Sequence, residues 1–508
     1  MSMNGWENSI AELRDRRALA TAMGGPERLA RQHANGRLDA RQRLAALCDH
    51  GSFAELWPLA GLEENPAPVA ADALPCGHGL INGCPAAVGA EDFSSKGGSI
   101  GAPGATKRER LARLALDERM PFVMVLDGAG ARAAKSLERY IPHPHDLGAI
   151  SDLSGLVPTI SVVAGASAGH GALTAALSDF VIMVRGAGAL FTAGPTLVLG
   201  STGARVEPQG LGGADVHAVR SGVVHIAVDT DEQALSTARR LLSYLPSNAW
   251  ERVLRTPVIE GDTSTARRET RSIVDLVPAD PRQAYDIRPV IDEIVDAGSA
   301  LELHRDHGES IITAFARIGG HSVAIVANQP KVLAGSVTVT AANKAARFVE
   351  IASSFHLPLL YLADNPGVMA GYESEAAGIL RASARMFAAQ HRSASVKVHI
   401  SMRKVFGFGS SIMALNQFDG RSFMFALPGV TLGVMPAKGS ATISNASADT
   451  AAALTRSEGS GPWKLASEAA YDNVIHPYEM RDTVLRVLDL SERSTRMVEP
   501  TARTGYLP

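Results

Sequence analysis

The chain repeats itself once. GLINGCPAAV at 79–88 returns as ARIGGHSVAI at 316–325, each an apolar strand that turns through a glycine, Gly83 in one and Gly320 in the other. The two glycines stand 237 residues apart. The same offset carries Gly98-Ser99 onto Gly335-Ser336, Lys107 onto Lys344, Pro121 onto Pro358 and Asp127 onto Asp364. After a slip of one residue, Gly169 meets Gly407, Gly171 meets Gly409 and Leu177 meets Leu415. So many agreements in one order are not chance, and the chain reads as two similar domains in tandem. Its length of 508 residues demands the same, because a single core stops growing at roughly 250–300 residues. The polar, broken stretch ARRETRSIVDLVPADPRQAYD at 266–286 marks the join, which predicts domains at 1–265 and 266–508.

Each copy alternates strands, glycine-rich loops and helices. PFVMVLDGAGAR and LPLLYLADNPG are continuous apolar runs that end in turns, as expected of strands buried on both faces. KRERLARLAL and AARFVEIASSF are helical segments between strands. The class is therefore α/β, built from strand–helix crossovers. The first 70 residues read as helical decoration whose basic side chains lie on solvated faces. Residues 155–178 carry no charged side chain besides His170, but Pro158 and the many small residues favour a buried strand followed by a helix over a membrane span. A net charge of −3 gives no general basic field, so neither nucleic acid nor a membrane surface is an expected partner. Cys48, Cys76 and Cys84 are too few for a disulfide framework and lack zinc-ribbon spacing, and MSMNGWENSIAELRDRR has no apolar signal core. A reducing, cytoplasmic location and no bound metal are expected.

Gly165-Ala166-Ser167-Ala168-Gly169 matches G-x-S-x-G, the nucleophile elbow of serine hydrolases, with Asp179 downstream. The second copy argues otherwise. VAGASAGHGAL aligns with MRKVFGFGSSI, so Ser167 faces Val405 while both glycines are kept. What the repeat preserves is a backbone shape at a helix start. The first N–H groups of a helix have no internal partner and can hold a developing oxyanion, at about 3–4 kcal/mol per good donor. Two such sites, one per domain, are one reading; tight strand-to-helix packing is the other. GAPGATKRE has glycines before a lysine but lacks G-K-[ST], which argues against a phosphate loop.

Several segments together resemble the carboxyltransferase (β) subunits of biotin-dependent acyl-CoA carboxylases, of the propionyl-CoA and 3-methylcrotonyl-CoA carboxylase type. They are RQHANGRLDARQRLAALCDHGSFAEL, EDFSSKGGSIGAPGATK, DGAGAR, SDFVIMV, TAGPTLV, LLSYLPSN, VANQPKVLAGSVTVTAANKAARFV and DNPGVMAGYESEAAGI, spread over nearly the whole chain. The resemblance implies two tandem crotonase-like (ClpP/crotonase) ββα-superhelix domains, an acyl-CoA side followed by a biotin side. It implies transfer of a carboxyl group from N-carboxybiotin to the α-carbon, or vinylogous γ-carbon, of an acyl-CoA through an enolate. Carried over by position, Gly169 and His170 fall at the acyl-CoA oxyanion site, and Phe408 and Gly409 at the biotin site. Gly98, Ser99, Ala129, Gly130, Ala131 and Gly171 are the implied substrate contacts in the first copy, and Gly407 and Ser411 in the second.

The family also implies a homohexamer with sites shared between subunits. No A-M-K-M biotinyl-lysine motif occurs, so biotin would arrive on a biotin carboxylase/biotin carboxyl carrier (α) subunit; a paralogous β subunit is a further possible partner. Departures from the family pattern gather at the loops. His170 stands where many relatives have Gly, Phe408 where Gly or Ala is usual, Ser411 where the propionyl type has Asp, and Leu173 where Tyr is common; DGAGAR replaces D-S-G-G-A-R. The plain expectation for His170 is a ring turned away from the ligand; crowding, hydrogen bonding to the thioester and proton supply are the alternatives. Phe408 would stack on biotin or block it. A crotonase-type acyl-CoA decarboxylase and a non-catalytic assembly subunit are the competing functions.

Overall fold

A computed structural model of the chain describes residues 6–63, 67–132, 146–257, 269–416, 421–492 and 498–500. It divides into two compact units, one within 1–250 and one within 251–499. The expected join at 265/266 lies outside the described residues.

Among the described residues the first unit holds eight strands: β1 (Ala54–Leu56), β2 (Cys76–Ile81), β3 (Cys84–Ala90), β4 (Phe122–Gly128), β5 (Thr159–Ala168), β6 (Phe180–Val184), β7 (Ala189–Phe191) and β8 (Ile226–Val228). They form one sheet in the order β1-β2-β3-β4-β5-β6-β8, with β7 beside the end of β5. The second unit repeats this with β9 (Leu301–Leu303), β10 (Ile311–Ile318), β11 (His321–Asn328), β12 (Leu359–Asn365), β13 (Lys397–Phe406), β14 (Ser422–Ala426), β15 (Thr431–Gly433) and β16 (Asn473–Val474). Its order is β9-β10-β11-β12-β13-β14-β16, with β15 beside β13. The first two pairings of each sheet are antiparallel, with β2–β3 and β10–β11 as tight hairpins, and the rest are parallel. β4 (FVMVLDG) and β12 (LLYLADN) are buried along their full length, as their unbroken apolar runs predicted.

Local devices recur with the topology. The pairing of β4 with β5 shifts between Leu126 and Gly128, and that of β12 with β13 between Ala363 and Asn365. Such bulges bend a strand where it leaves the sheet; here both occur just before the glycine loops. Helices Ala102–Asp117 and Val339–Ser354 occupy matching places. Each carries a buried lysine that donates to the carbonyls of a turn: Lys107 to Ala71 and Leu74 at 2.9 and 2.5 Å, Lys344 to His304 and His307 at 3.0 and 2.8 Å. Burial lowers both lysines' pKa values, that of Lys344 to about 7. Their recurrence is explained by fold rather than chemistry.

One expectation changes. The N-terminal basic residues are not all on solvated faces. Arg43 is fully buried and pairs with Asp127 at 2.8 Å and Asp231 at 2.9 Å; Arg37 reaches Asp127 at 2.5 Å. A buried carboxylate requires such partners. The two copies also differ in the helix that follows the glycine turn, which is shorter in the second unit. His170–Leu177 runs eight residues, whereas Gly407–Ile412 stops before Ala414 takes the left-handed conformation at φ 62°.

Candidate active site

β5 ends at Ala168 and the helix begins at His170, so the chain must reverse at Gly169, which sits at φ 53°. A side chain there would be strained. The Gly169 N–H donates to Phe191 O at 2.9 Å, and its carbonyl accepts from Leu173 N–H. The first N–H groups of the helix, those of His170, Gly171 and Ala172, have no acceptor among the described residues. The turn uses the Gly169 N–H itself, so the N–H groups free to meet an acceptor begin at His170.

Ser167 is fully buried within β5, between Gly128 of β4 and Leu190 of β7. A Cβ on Gly171 would come within 2.5 Å of its Oγ. The hydroxyl fills the space beneath the turn and is not presented as a nucleophile. Asp179 likewise serves the fold, accepting from both Thr159 N and Thr159 Oγ1 at 2.9 Å.

Two loops close on this turn. Gly98 and Ser99 follow the short turn at Lys96, and Gly98 packs directly on the Asp127–Gly128 peptide. Ala129 N–H donates to Gly97 O, Ile100 N–H donates to Gly130 O, and Ala131 forms a bridge with Ile100. Arg132 clamps the pair, with its guanidinium on Ser99 O at 2.9 Å and on Asp72 at 2.7 Å. A Cβ on Gly130 would lie 2.4 Å from Ala168 O and 3.8 Å from His170 N. Gly98, Ser99, Ala129, Gly130, Ala131, Gly169, His170 and Gly171 therefore form one cluster.

Charges support it from below. Glu91 is buried, pairs with Arg108 and accepts from Asp127 N–H at 2.6 Å; its burial raises the carboxyl pKa, and Arg108 opposes that shift. Asp146 begins the helix Asp146–Ser151 and was not singled out from the sequence. Its carboxylate is fully buried and meets His170 Nε2 at 2.6 Å, while the His170 side chain remains 29% exposed. The two residues are 24 positions apart in no recognisable motif, so only the fold brings them together.

The second unit repeats the turn with different chemistry. Gly407 also sits at φ 53°. Phe408, at the place of His170, is 49% exposed with its ring 5.8 Å from that of Phe387. A Cβ on Gly409 would lie 2.3 Å from Asn365 Oδ1 and 2.7 Å from Gly367 Cα. Asn365 in turn donates to Asn328 Oδ1 at 3.0 Å. Ser411 is held through its carbonyl, which accepts from Gln390 and Asn416 at 3.2 Å each. Among the described residues, His321, Asp489 and Glu492 bring ligand-type atoms within 4.8 Å of one another. Arg255 already supplies a cation there, 3.4 Å from Asp489 and 3.5 Å from Glu492.

The family model of the carboxyl transferase domain matches residues 31–505. The propionyl-CoA carboxylase carboxyltransferase subunit of Haloferax mediterranei is 33% identical over 99% of this chain and 99% of its own. The methylmalonyl-CoA decarboxylase subunit alpha of Veillonella parvula is 34% identical over 96% of this chain and 97% of its own. The crystal structure of transcarboxylase 12S, a hexamer assembly with methylmalonyl-CoA and methylmalonic acid bound, superposes with a TM-score of 0.90 at 32% identity, covering all of both chains. Tandem glycine turns on two copies of one crotonase-type sheet, matched over the full chain, thus have their explanation: this protein belongs to the carboxyl transferase domain family.

Proposed function

We propose that the protein is the carboxyltransferase subunit of a biotin-dependent acyl-CoA carboxylase. The observation that carries this reading is the turn found twice, at 169–171 and 407–409, with the same φ of 53° at its first glycine. In the first unit the N–H groups of His170 and Gly171 receive the thioester oxygen and stabilise the enolate. Gly98, Ser99, Ala129, Gly130 and Ala131 shape the wall for the acyl-CoA. In the second, Gly407, Phe408, Gly409 and Ser411 receive the biotin ureido group, with the half-exposed Phe408 ring as a stacking face. The carboxyl carbon passes from biotin nitrogen to the enolate carbon, and the freed biotin nitrogen takes up the α-proton.

Biotin comes on a biotin carboxylase/biotin carboxyl carrier subunit, and the protein works as a homohexamer in the cytoplasm, with no metal of its own. Labelled bicarbonate and ATP, supplied with the native biotinylated partner and a panel of acyl-CoAs, test this. Label enters an acid-stable carboxyacyl-CoA if the reading holds; a native preparation devoid of biotinylated protein, with no label fixed, defeats it. The likeness to a decarboxylase subunit supports a second reading, in which the carboxyl group runs from acyl-CoA to biotin. Release of label from a carboxyacyl-CoA without fixation would select it.

A further inference from the structure

We infer that His170 and Asp146 form a proton-transfer pair that exchanges the α-proton of a bound acyl-CoA without biotin. The inference rests on placing the thioester at the 169–171 turn. Asp146 Oδ1 lies 2.6 Å from His170 Nε2, and its other carboxylate oxygen has no hydrogen-bond partner among the described residues. A carboxylate so fully buried is costly unless it is paired, and the imidazole is the partner found. The carboxylate accepts the Nε2 proton and so selects one tautomer, leaving the lone pair on Nδ1. The ring is 29% exposed, so it is not sealed from a ligand. Its own residue begins the helix whose N–H groups would hold the thioester oxygen. The equivalent turn in the second unit has Phe408 here, so the fold does not need an imidazole to form the turn.

The chemistry closes without any other reactant. Nδ1 takes a proton from the α-carbon. The C–H electron pair moves into the enolate, whose charge settles on the thioester oxygen before the His170 and Gly171 N–H groups. The imidazolium is held by Asp146. Its new proton exchanges with water, and a solvent proton returns to carbon as the carbonyl reforms. His170 is the proton-transfer residue, and Asp146 is a positioning residue.

The test uses the full chain alone, in D2O, with propionyl-CoA, butyryl-CoA and 3-methylcrotonyl-CoA, read by mass spectrometry. Deuterium enters the α-position, or the γ-position of 3-methylcrotonyl-CoA. His170→Gly slows entry at least tenfold, and added free imidazole restores it, which a packing role would not allow. Asp146→Asn lowers kcat for exchange and leaves KM in place. No exchange across the panel, or equal exchange in wild type and H170G, overturns the inference. Bicarbonate fixation by the reconstituted wild-type complex is scored separately. Fixation without exchange removes this inference alone, and exchange without fixation removes the carboxylase reading alone.

Discussion

Beneath the turn at 169–171 lies the buried Glu91–Arg108 ion pair; beneath its twin at 407–409 amides take that place, and the buried charge there is Asp364 with Arg403 at 2.8 Å. In the first unit Glu91 accepts from Asp127 N–H and pairs with buried Arg108. In the second, Asn328 takes the place of Glu91, accepts from Asp364 N–H at 3.1 Å and from Asn365 at 3.0 Å, and Ala345 takes the place of Arg108. The backbone task is the same, to satisfy the N–H at the end of the central strand. A carboxylate can do it only with a cation to offset its burial, whereas an amide needs none. Carboxylate and guanidinium were therefore exchanged as a pair. The lesson is that duplication kept the strand ends and the turns, and let the two undersides diverge in charge as long as each stayed balanced.

The largest test of that comparison is to break the balance and then restore it in the other unit's manner. Arg108→Ala leaves Glu91 buried and unpaired and should cost about 3–5 kcal/mol in denaturant unfolding. E91N/R108A, which installs the second unit's own residues, should recover most of that loss. A double variant no better than the single would show that the two undersides are not equivalent.

A smaller effect should be confined to the second unit. His399 is buried in β13, with its ring nitrogens at 2.8 Å from Met413 O and 2.7 Å from Ser401 Oγ, and burial pushes its pKa down to about 4. The neutral ring donates to the carbonyl and accepts from the hydroxyl. In the unfolded chain the ring titrates near ~6.5. The unfolded state therefore binds the proton first as pH falls, so this contribution to stability is complete above about 6.5 and is lost on the way down to about 4. The loss is about 3 kcal/mol by the size of that shift. The first unit has Ser161 at this place, bonded to Ser178 at 2.8 Å, and has no such term. Hydrogen exchange followed from pH 7 to 4 should show protection falling in β13 ahead of β5, and His399→Gln should remove the difference.

The smallest effect separates the two turns by what lies under them. Gly171→Ala forces a methyl onto Ser167 Oγ, and Gly409→Ala forces one onto Asn365 and the Gly367 backbone. Each should cost about 1–3 kcal/mol and reduce carboxylation. Ser167→Ala added to G171A should restore much of the first, because the offending atom is gone. N365A added to G409A should restore little, since backbone remains in the way. Activity abolished by Ser167→Ala alone would contradict the burial of its hydroxyl.

The hairpins, the buried strands and the two glycine turns were legible from residue order because each is a local event. Unbroken apolar runs such as FVMVL make two-faced strands, and Gly169 and Gly407 mark chain reversals. Their spacing of one domain length supplied the duplication and, with the family likeness, the turns where an enolate and biotin would sit. Tertiary structure alone decided what surrounds those turns. Arg43 meets Asp127 and Asp231, Arg108 meets Glu91, and Asp146 meets His170 across separations that follow no helical or strand period. Such pairings are set by which charges burial leaves without water, and that is known only once the chain has folded around them.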